Sequence, residues 1–227
     1  MIRLSVVDPE EGRNAYHWHR GFASSDDSLY PRSRPSFEAI VIEGCAWSAR
    51  TEGGDFLALG YAHLDPVDKA WELGGLMVAT HLQSQGLGLI LGRLMLCHLL
   101  FEETPLQHGQ KIITHVLKSN LKPRRILDIL KFRYARDVTI EAFILPGLRP
   151  NAAGQIEGDE FEMTVPDALT ALIDWLGEWD MKLKNGESVE VILRPGISLR
   201  HWAAALPLMV STHDGPAASP SAPSPGP

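Results

Sequence analysis

Two features of residues 71–100, W-E-L-G-G-L-M-V-A-T-H-L-Q-S-Q-G-L-G-L-I-L-G-R-L-M-L-C-H-L-L, could do chemistry. The first is the Q-S-Q-G-L-G joint at 83–88, between a strand-like apolar run and a helix-period run. Small residues there let the backbone turn sharply and approach a ligand closely. The first amides of the following helix have no intrahelical acceptor and sit at the positive end of its macrodipole, which suits a pyrophosphate. The backbone groups concerned are those of Gln83, Ser84, Gln85, Gly86, Leu87 and Gly88. The second is Glu72, the one acid in the central strand, walled by Trp71, Leu73 and Leu76. Burial among apolar side chains raises a carboxyl pKa, the direction a general base needs.

The elements that must position these groups follow from periodicity and turn residues. Residues 1–7 alternate as a strand and 10–22 read as a helix; 24–35, rich in Ser, Asp, Pro and Arg, read as a loop. Residues 36–43 are apolar and fit either helix or strand. Residues 45–51 and 55–64 flank Glu-Gly-Gly as a hairpin, and 70–79 add a third strand. Residues 86–102 carry apolar positions 87, 90, 91 and 94, with His98 continuing the same helical stripe. Then come a strand at 111–117, a helix at 122–134 with Pro123 in its first turn, and strands at 138–145 and 160–165. The order predicts an α/β fold, a sheet with helices on both faces. Beyond residue 165 we expect an extension over 166–210, with a helix at 167–183, a strand at 188–193 and a helix at 199–206. The Pro/Ala/Ser-rich tail, 211–227, is low in complexity and expected to be disordered.

Composition excludes several classes. With 227 residues, 44% of them hydrophobic, the chain can bury one sizeable core. The most apolar run, 87–100, is interrupted by Arg93 and His98 and is too short for a bilayer. The start of the chain lacks the apolar run of a secretory leader. Cys45 and Cys97 are the only cysteines, so no disulfide framework is expected and a reducing cytoplasm fits. A formal charge of −7 argues against nucleic acid and suits cationic small molecules. His17 and His19 are poorly spaced for one helical face and no second cluster has ligand spacing, so no metal site is expected. His81 and His115 read as polar rim residues.

With this element order, Gln83, Gly86 and Gly88 fill the fixed positions of the Arg/Gln-x-x-Gly-x-Gly/Ala signature, and residues 1–165 resemble the GNAT superfamily of acyl-CoA-dependent N-acetyltransferases. The resemblance implies a mixed, largely antiparallel sheet flanked by helices. It implies acetyl-CoA as cosubstrate, its pyrophosphate on the loop amides of 83–88. In the family a bulge parts two strands beside the pantetheine arm, and Gly74–Gly75 would carry it. An Asn that contacts that arm corresponds to Asn120, followed twelve residues later by Phe132. Two positions depart from the family: its Gly is Lys131, and its frequent acid, a Tyr, is Leu127. Tyr134 or Ser119 could supply the acid instead, or solvent could.

Transfer of an acetyl group to an amine requires the neutral amine, whose pKa is near ~10.4 for a lysine-like acceptor, so a base is needed. Glu72 lies eleven residues before Gln83, similar to the catalytic glutamate of histone-acetyltransferase members. An amide near Met77 or Val78 would stabilise the oxyanion. The implied function is N-acetylation of a primary amine, of a small cationic metabolite or a protein, in a ternary complex. The alternative is a GNAT-fold protein that binds acyl-CoA or a partner with weak or no catalysis. Glu157, Asp159, Glu160 and Glu162 form an acidic group that is either a solvated face or a lure for a cation; 122–136 carries a basic run read as an exposed helix face or a patch near the CoA 3′-phosphate. The stripe Leu169, Leu172, Ile173, Leu176 and Trp179 must be covered, by the protomer's own sheet or by a second copy in a homodimer.

Overall fold

In the computed structural model, the residues described are 1–25, 29, 32–65, 69–103, 111–141, 150–173, 175 and 181–213. One eight-stranded sheet organises them. Its strands are β1 (Ile2–Val6), β2 (Ala46–Thr51), β3 (Phe56–Asp65), β4 (Ala70–Val78), β5 (Lys111–Leu117), β6 (Arg133–Glu141), β7 (Gln155–Thr164) and β8 (Val189–Ile192), in the order β6-β7-β5-β4-β3-β2-β1-β8. All neighbours run antiparallel except β4 with β5 and β1 with β8. The α/β fold with a mixed, largely antiparallel sheet is as expected.

The first helices depart from expectation in an instructive way. α1 spans Gly12–Ser25, and α2 spans Arg34–Ile42, so the segment that was ambiguous from its pattern is helical. Ser33 caps α2, its side chain accepting from the Ser36 amide, and Pro35 sits in the first turn. Both helices pack on one face of the sheet, where Phe37 meets Tyr61 and His19. On the opposite face α3 (Leu87–His98) buries Leu87, Leu91 and Leu94 completely, and Met95 lies against Gly60. One π-helical turn, Leu99–Glu103, continues it.

α4 covers only Arg124–Ile129, and residues 130–134, expected to be helical, are not. The helix closes on a Schellman motif: Phe132 N–H donates to Leu127 O at 2.9 Å and Lys131 N–H to Asp128 O at 3.1 Å. Lys131 takes φ +69° at the position that favours glycine. The chain then enters β6 five residues earlier than periodicity suggested, which puts Tyr134 on a strand.

The extension builds into the same sheet. β8 pairs with β1 (Ile2 with Val189) and widens it by one strand. α5 spans Val165–Ile173; Met181 and Lys182 lie outside it, with Lys182 bridged to Ser188, so the expected helix to 183 is corrected. Leu169 and Leu172 are buried within the protomer and Ile173 is 43% exposed, while Leu176 and Trp179 lie outside the described residues. α6 (Leu199–His213) stacks Trp202 on Phe101 and runs past the expected boundary at 210; the tail from 214 on lies outside the described residues. Cys45 and Cys97 are buried free thiols. Among the described residues no helix is long and apolar enough to cross a membrane.

A non-glycine residue in the left-handed region costs about 1 kcal/mol. Lys131→Gly should therefore raise stability by about 1 kcal/mol, seen as a rise of ~2–4 °C in thermal unfolding; no rise would mean that Lys131 is held there by contacts worth as much.

Candidate active site

β4 and β5 pair through only two positions, Trp71 with Ile112 and Glu72 with Ile113. Beyond them the strands part. On its other edge β4 bulges against β3: Tyr61 opposes Gly74 and Leu59 opposes Met77, so Gly75 and Leu76 together face Gly60. Gly75 has φ +59°, and any Cβ there would run into the Tyr61 ring. The bulge thus lies where the Gly-Gly pair was expected to place it.

After the bulge the pleat decides which amide faces the cleft. Ala79 N–H donates to Leu57 O at 2.8 Å, and Val78 stands opposite Ala58. N–H directions alternate along a strand, so Val78 N–H points away from β3, toward the parted side, and Met77 N–H toward β3. Of the two candidate amides only Val78 has the right orientation. Gln83 Nε2 donates to Val78 O at 3.2 Å and ties the following loop to the strand end.

In that loop Ser84 has φ +64° and Gly86 φ +101°. Gly86 is followed at once by α3, and a Cβ built on it meets nothing within 4 Å, whereas one on Gly88 would press Ile126 Cδ1 at 3.2 Å and Val78 Cγ2 at 3.4 Å. Gly86 thus opens on free space and Gly88 is a packing contact. The Gln83 and Gln85 amides are spent inside the loop, on Thr80 O and Leu82 O, each at 3.3 Å. The amides of Gly86, Leu87 and Gly88 begin the helix and have no acceptor one turn back. The cradle therefore fits an anion through these three. The extension braces it: Lys184 N–H donates to Gln85 O at 3.0 Å. Asn120 sits in the turn after β5, its Oδ1 accepting from Lys122 N at 3.3 Å.

Glu72 stands at the mouth of the parting, on the sheet face that carries α1 and α2, and it is crowded by basic groups. Its Oε1 lies 3.2 Å from His115 Nδ1; its Oε2 lies 3.2 Å from His63 Nε2 and 3.5 Å from Arg32 Nη2. Burial alone would raise its pKa. The His115 hydrogen bond and the charges of His63, His115 and Arg32 together outweigh burial, and the carboxyl titrates below its ordinary value. This corrects the expected raised pKa. The sequence showed the apolar strand neighbours, whose side chains alternate to the other face, and not the basic groups delivered by three other segments. His63 is lowered, by burial first and by Arg32 next. His115 is raised by the Glu72 hydrogen bond, against burial, with Glu160 adding to the rise.

The network continues past His115. Its Nε2 lies 3.1 Å from Glu160 Oε2, and Arg136 Nη2 donates to the same oxygen at 2.8 Å. Arg32, His63, Glu72, His115, Glu160 and Arg136 thus form one connected row across β3, β4, β5, β7 and β6, with each carboxylate set between basic groups. His115 is exposed, as a rim residue is, and it also ties Glu72 to Glu160. The acidic group is not simply a solvated face: Asp159 pairs with Arg124, Glu162 with Lys111 and Glu160 with Arg136, while Arg133 pairs with Asp167. Arg32 and His63 had no local signal, since their partner is distant in sequence.

Tyr134 is not brought to Glu72. It pairs with Phe161, whose side chain lies on the face opposite Glu160 and His115, and its hydroxyl donates to Asp137 at 3.0 Å. Its phenol is raised, by desolvation first and then by that hydrogen bond. The hydroxyl is thus engaged away from Glu72.

No family model matches the chain and no curated protein matches it in sequence. Solved structures do match it. A GNAT-family acetyltransferase from Bacillus cereus superposes with TM-score 0.51 at 13% identity, over 72% of this chain and 97% of that one. The fold is that of the GNAT superfamily. A GNAT superfamily phosphinothricin acetyltransferase from Sinorhizobium meliloti, solved with AcCoA, gives TM-score 0.53 at 13% identity over 70% and 86%. Mutant forms of the spermidine/spermine N-acetyltransferase from Vibrio cholerae give 0.50 at 15% identity over 75% and 98%. Identities this low carry the GNAT fold and nothing finer.

The pKa directions set a pH dependence of stability. Glu72, depressed in the folded state, contributes stability that is present above its unfolded pKa and is lost as pH falls through the folded one. Glu72→Gln should cost about 1.5–3 kcal/mol at neutral pH, the range for hydrogen bonds to charged groups, and should flatten the acid side of the stability profile. Chemical denaturation as a function of pH checks both. A variant as stable as the wild type with an unchanged acid limb would show that Glu72 is not held by its basic neighbours.

Proposed function

We propose that the protein is an N-acetyltransferase that moves the acetyl group of acetyl-CoA to a primary amine, of a small cationic metabolite or a protein, by direct attack in a ternary complex. One observation carries this reading. The open anion cradle at Gly86, the parted strands and an anionic carboxylate lie along one path, from the start of α3 through the end of β4 to Glu72. The GNAT fold supports it, and so does the AcCoA in the Sinorhizobium meliloti structure.

In this reading acetyl-CoA supplies the reactive thioester. The amides of Gly86, Leu87 and Gly88 hold its pyrophosphate, with Ser84, Gln83 and Gln85 shaping the loop. Asn120 borders the pantetheine arm. Val78 N–H offers the hydrogen bond that an oxyanion needs, in a cleft where fixed dipoles are worth more than in water. Glu72, kept ionised, attracts and orients an ammonium and takes part in removing its proton. Neither cysteine is required. An acceptor with positive charge matches the site's anion and the chain's charge of −7.

The alternative, a GNAT-fold protein that binds acyl-CoA or a partner with weak or no catalysis, draws on two specific observations. Glu72 is too acidic to hold a proton well, and the Tyr134 hydroxyl is engaged by Asp137 rather than directed at Glu72.

Calorimetry with acetyl-CoA separates the outcomes. Micromolar binding by the wild type should be lost in Gly86→Glu, which puts bulk and negative charge into the cradle. Turnover in a panel of spermidine, free lysine and a peptide with a free N-terminus then establishes the enzyme; binding without turnover favours the alternative, and no binding removes the enzyme and leaves only the partner-binding form of the alternative.

A further inference from the structure

We propose that His115, acting through Glu72, is the store for the proton that the acceptor amine gives up, and that Glu160 positions it for this task. The inference rests on the N-acetyltransferase reading and deepens it at the same site.

The geometry is set by strand register, not by chance side-chain placement. Glu72 on β4 pairs with Ile113 on β5, and His115 lies two residues further on, so both point to one face. Glu160 on β7 stands directly opposite His115, and Arg136 on β6 directly opposite Glu160. Among the described residues, the charged groups that face the imidazole come from four other strands and one connecting segment. Nδ1 meets Glu72, whose other oxygen is held by His63 from β3 and by Arg32 from the segment before α2. Nε2 meets Glu160, which Arg136 also holds.

A neutral imidazole has one N–H and two ring nitrogens. With a carboxylate at each nitrogen, 3.2 and 3.1 Å away, one lone pair must face an anion. Uptake of one proton turns that contact into a second charge-assisted hydrogen bond, which is why His115 holds a proton more readily than a free histidine. Glu72 is the reverse, a poor resting place because its basic neighbours favour the ionised form. A proton arriving at Glu72 therefore moves on. Glu160, by accepting from Nε2–H, keeps the Nδ1 lone pair turned toward Glu72, the role an orienting carboxylate plays for a histidine base.

The step balances. An N–H bond of the acceptor ammonium breaks and an O–H bond forms on Glu72; that O–H then breaks as an N–H bond forms at His115 Nδ1. The net change is ammonium to amine and imidazole to imidazolium, with charge conserved and no oxidant or reductant involved. The imidazolium, its side chain 31% exposed, returns its proton to water next to the open groove that its partner Glu160 lines with Lys111, Ile113 and Arg136.

The test follows the titration of His115 itself, by NMR of its ring in the full-length protein, beside initial rates with saturating acetyl-CoA and spermidine. In the wild type the rate should rise with pH along the same midpoint as the ring. Glu160→Gln should move both midpoints down together. His115→Gln should abolish that limb and lower kcat about 100-fold, the lower end for acid–base catalysis, with KM for spermidine and the acetyl-CoA Kd unchanged. A ring midpoint that Glu160→Gln leaves in place, or a rate profile that ignores the shift, overturns the proposal even if His115→Gln fails to fold. So does full kcat in a folded His115→Gln. Calorimetry keeps the two failures apart: a wild type that binds no acetyl-CoA removes the acetyltransferase reading and the proton store with it, whereas normal binding with any of those results removes the proton store alone.

Discussion

The parting of β4 from β5 is the constraint on which the rest depends. Two adjacent parallel strands that share only Trp71–Ile112 and Glu72–Ile113 leave a row of backbone groups without ladder partners. Such groups are costly to bury unpaired. The chain resolves this in two ways. The bulge at Gly75–Leu76 turns β4 away from β5, and Gln83 reaches back to take the exposed carbonyl of Val78. What remains is a slot with Val78 N–H at its edge and the start of α3 at its end.

The same parting explains the charge row. Where β4 and β5 still touch, Glu72 and His115 face each other across the join, and β7 and β6 continue the line with Glu160 and Arg136. Six ionisable side chains on five strands and one connecting segment would be expensive if dispersed. Hydrogen-bonded in one row they satisfy one another: against burial, Glu72 and Glu160 are held low by the basic groups around them, and His115 is raised by its two carboxylates. The depressed Glu72 and the elevated His115 are two readings of one hydrogen bond.

The extension is structurally part of this arrangement. β8 gives β1 a second partner, α5 covers α3 and β7 with Leu169 and Leu172, and the turn at Lys184 pins the loop carbonyl of Gln85. A helix N-terminus can be a stable anion cradle only if the loop before it holds its shape, and here residues about 100 positions downstream in sequence contribute to that.

Features that depend on near neighbours were legible in the sequence. The strand–loop–helix joint at 83–88 follows from small residues between two periodicities, and the bulge from adjacent glycines in an apolar strand; both are local matters of φ and pattern. The meander around Glu-Gly-Gly and the α/β class follow likewise. Tertiary structure decided the rest. The end of α4 at Lys131 could not be read, because a lysine gives no sign of a left-handed turn; the position of Phe132 in the core enforces it. That shift moved Tyr134 to a strand, and strand parity then set its face. Glu72 was legible as a candidate, but its protonation was not. Its apolar sequence neighbours are on the other side of the pleat, and its basic partners come from residues 32, 63 and 115. A side chain's own type determines what chemistry it can do, whereas the charge it carries depends on which distant strands the register brings within 3 to 4 Å of it.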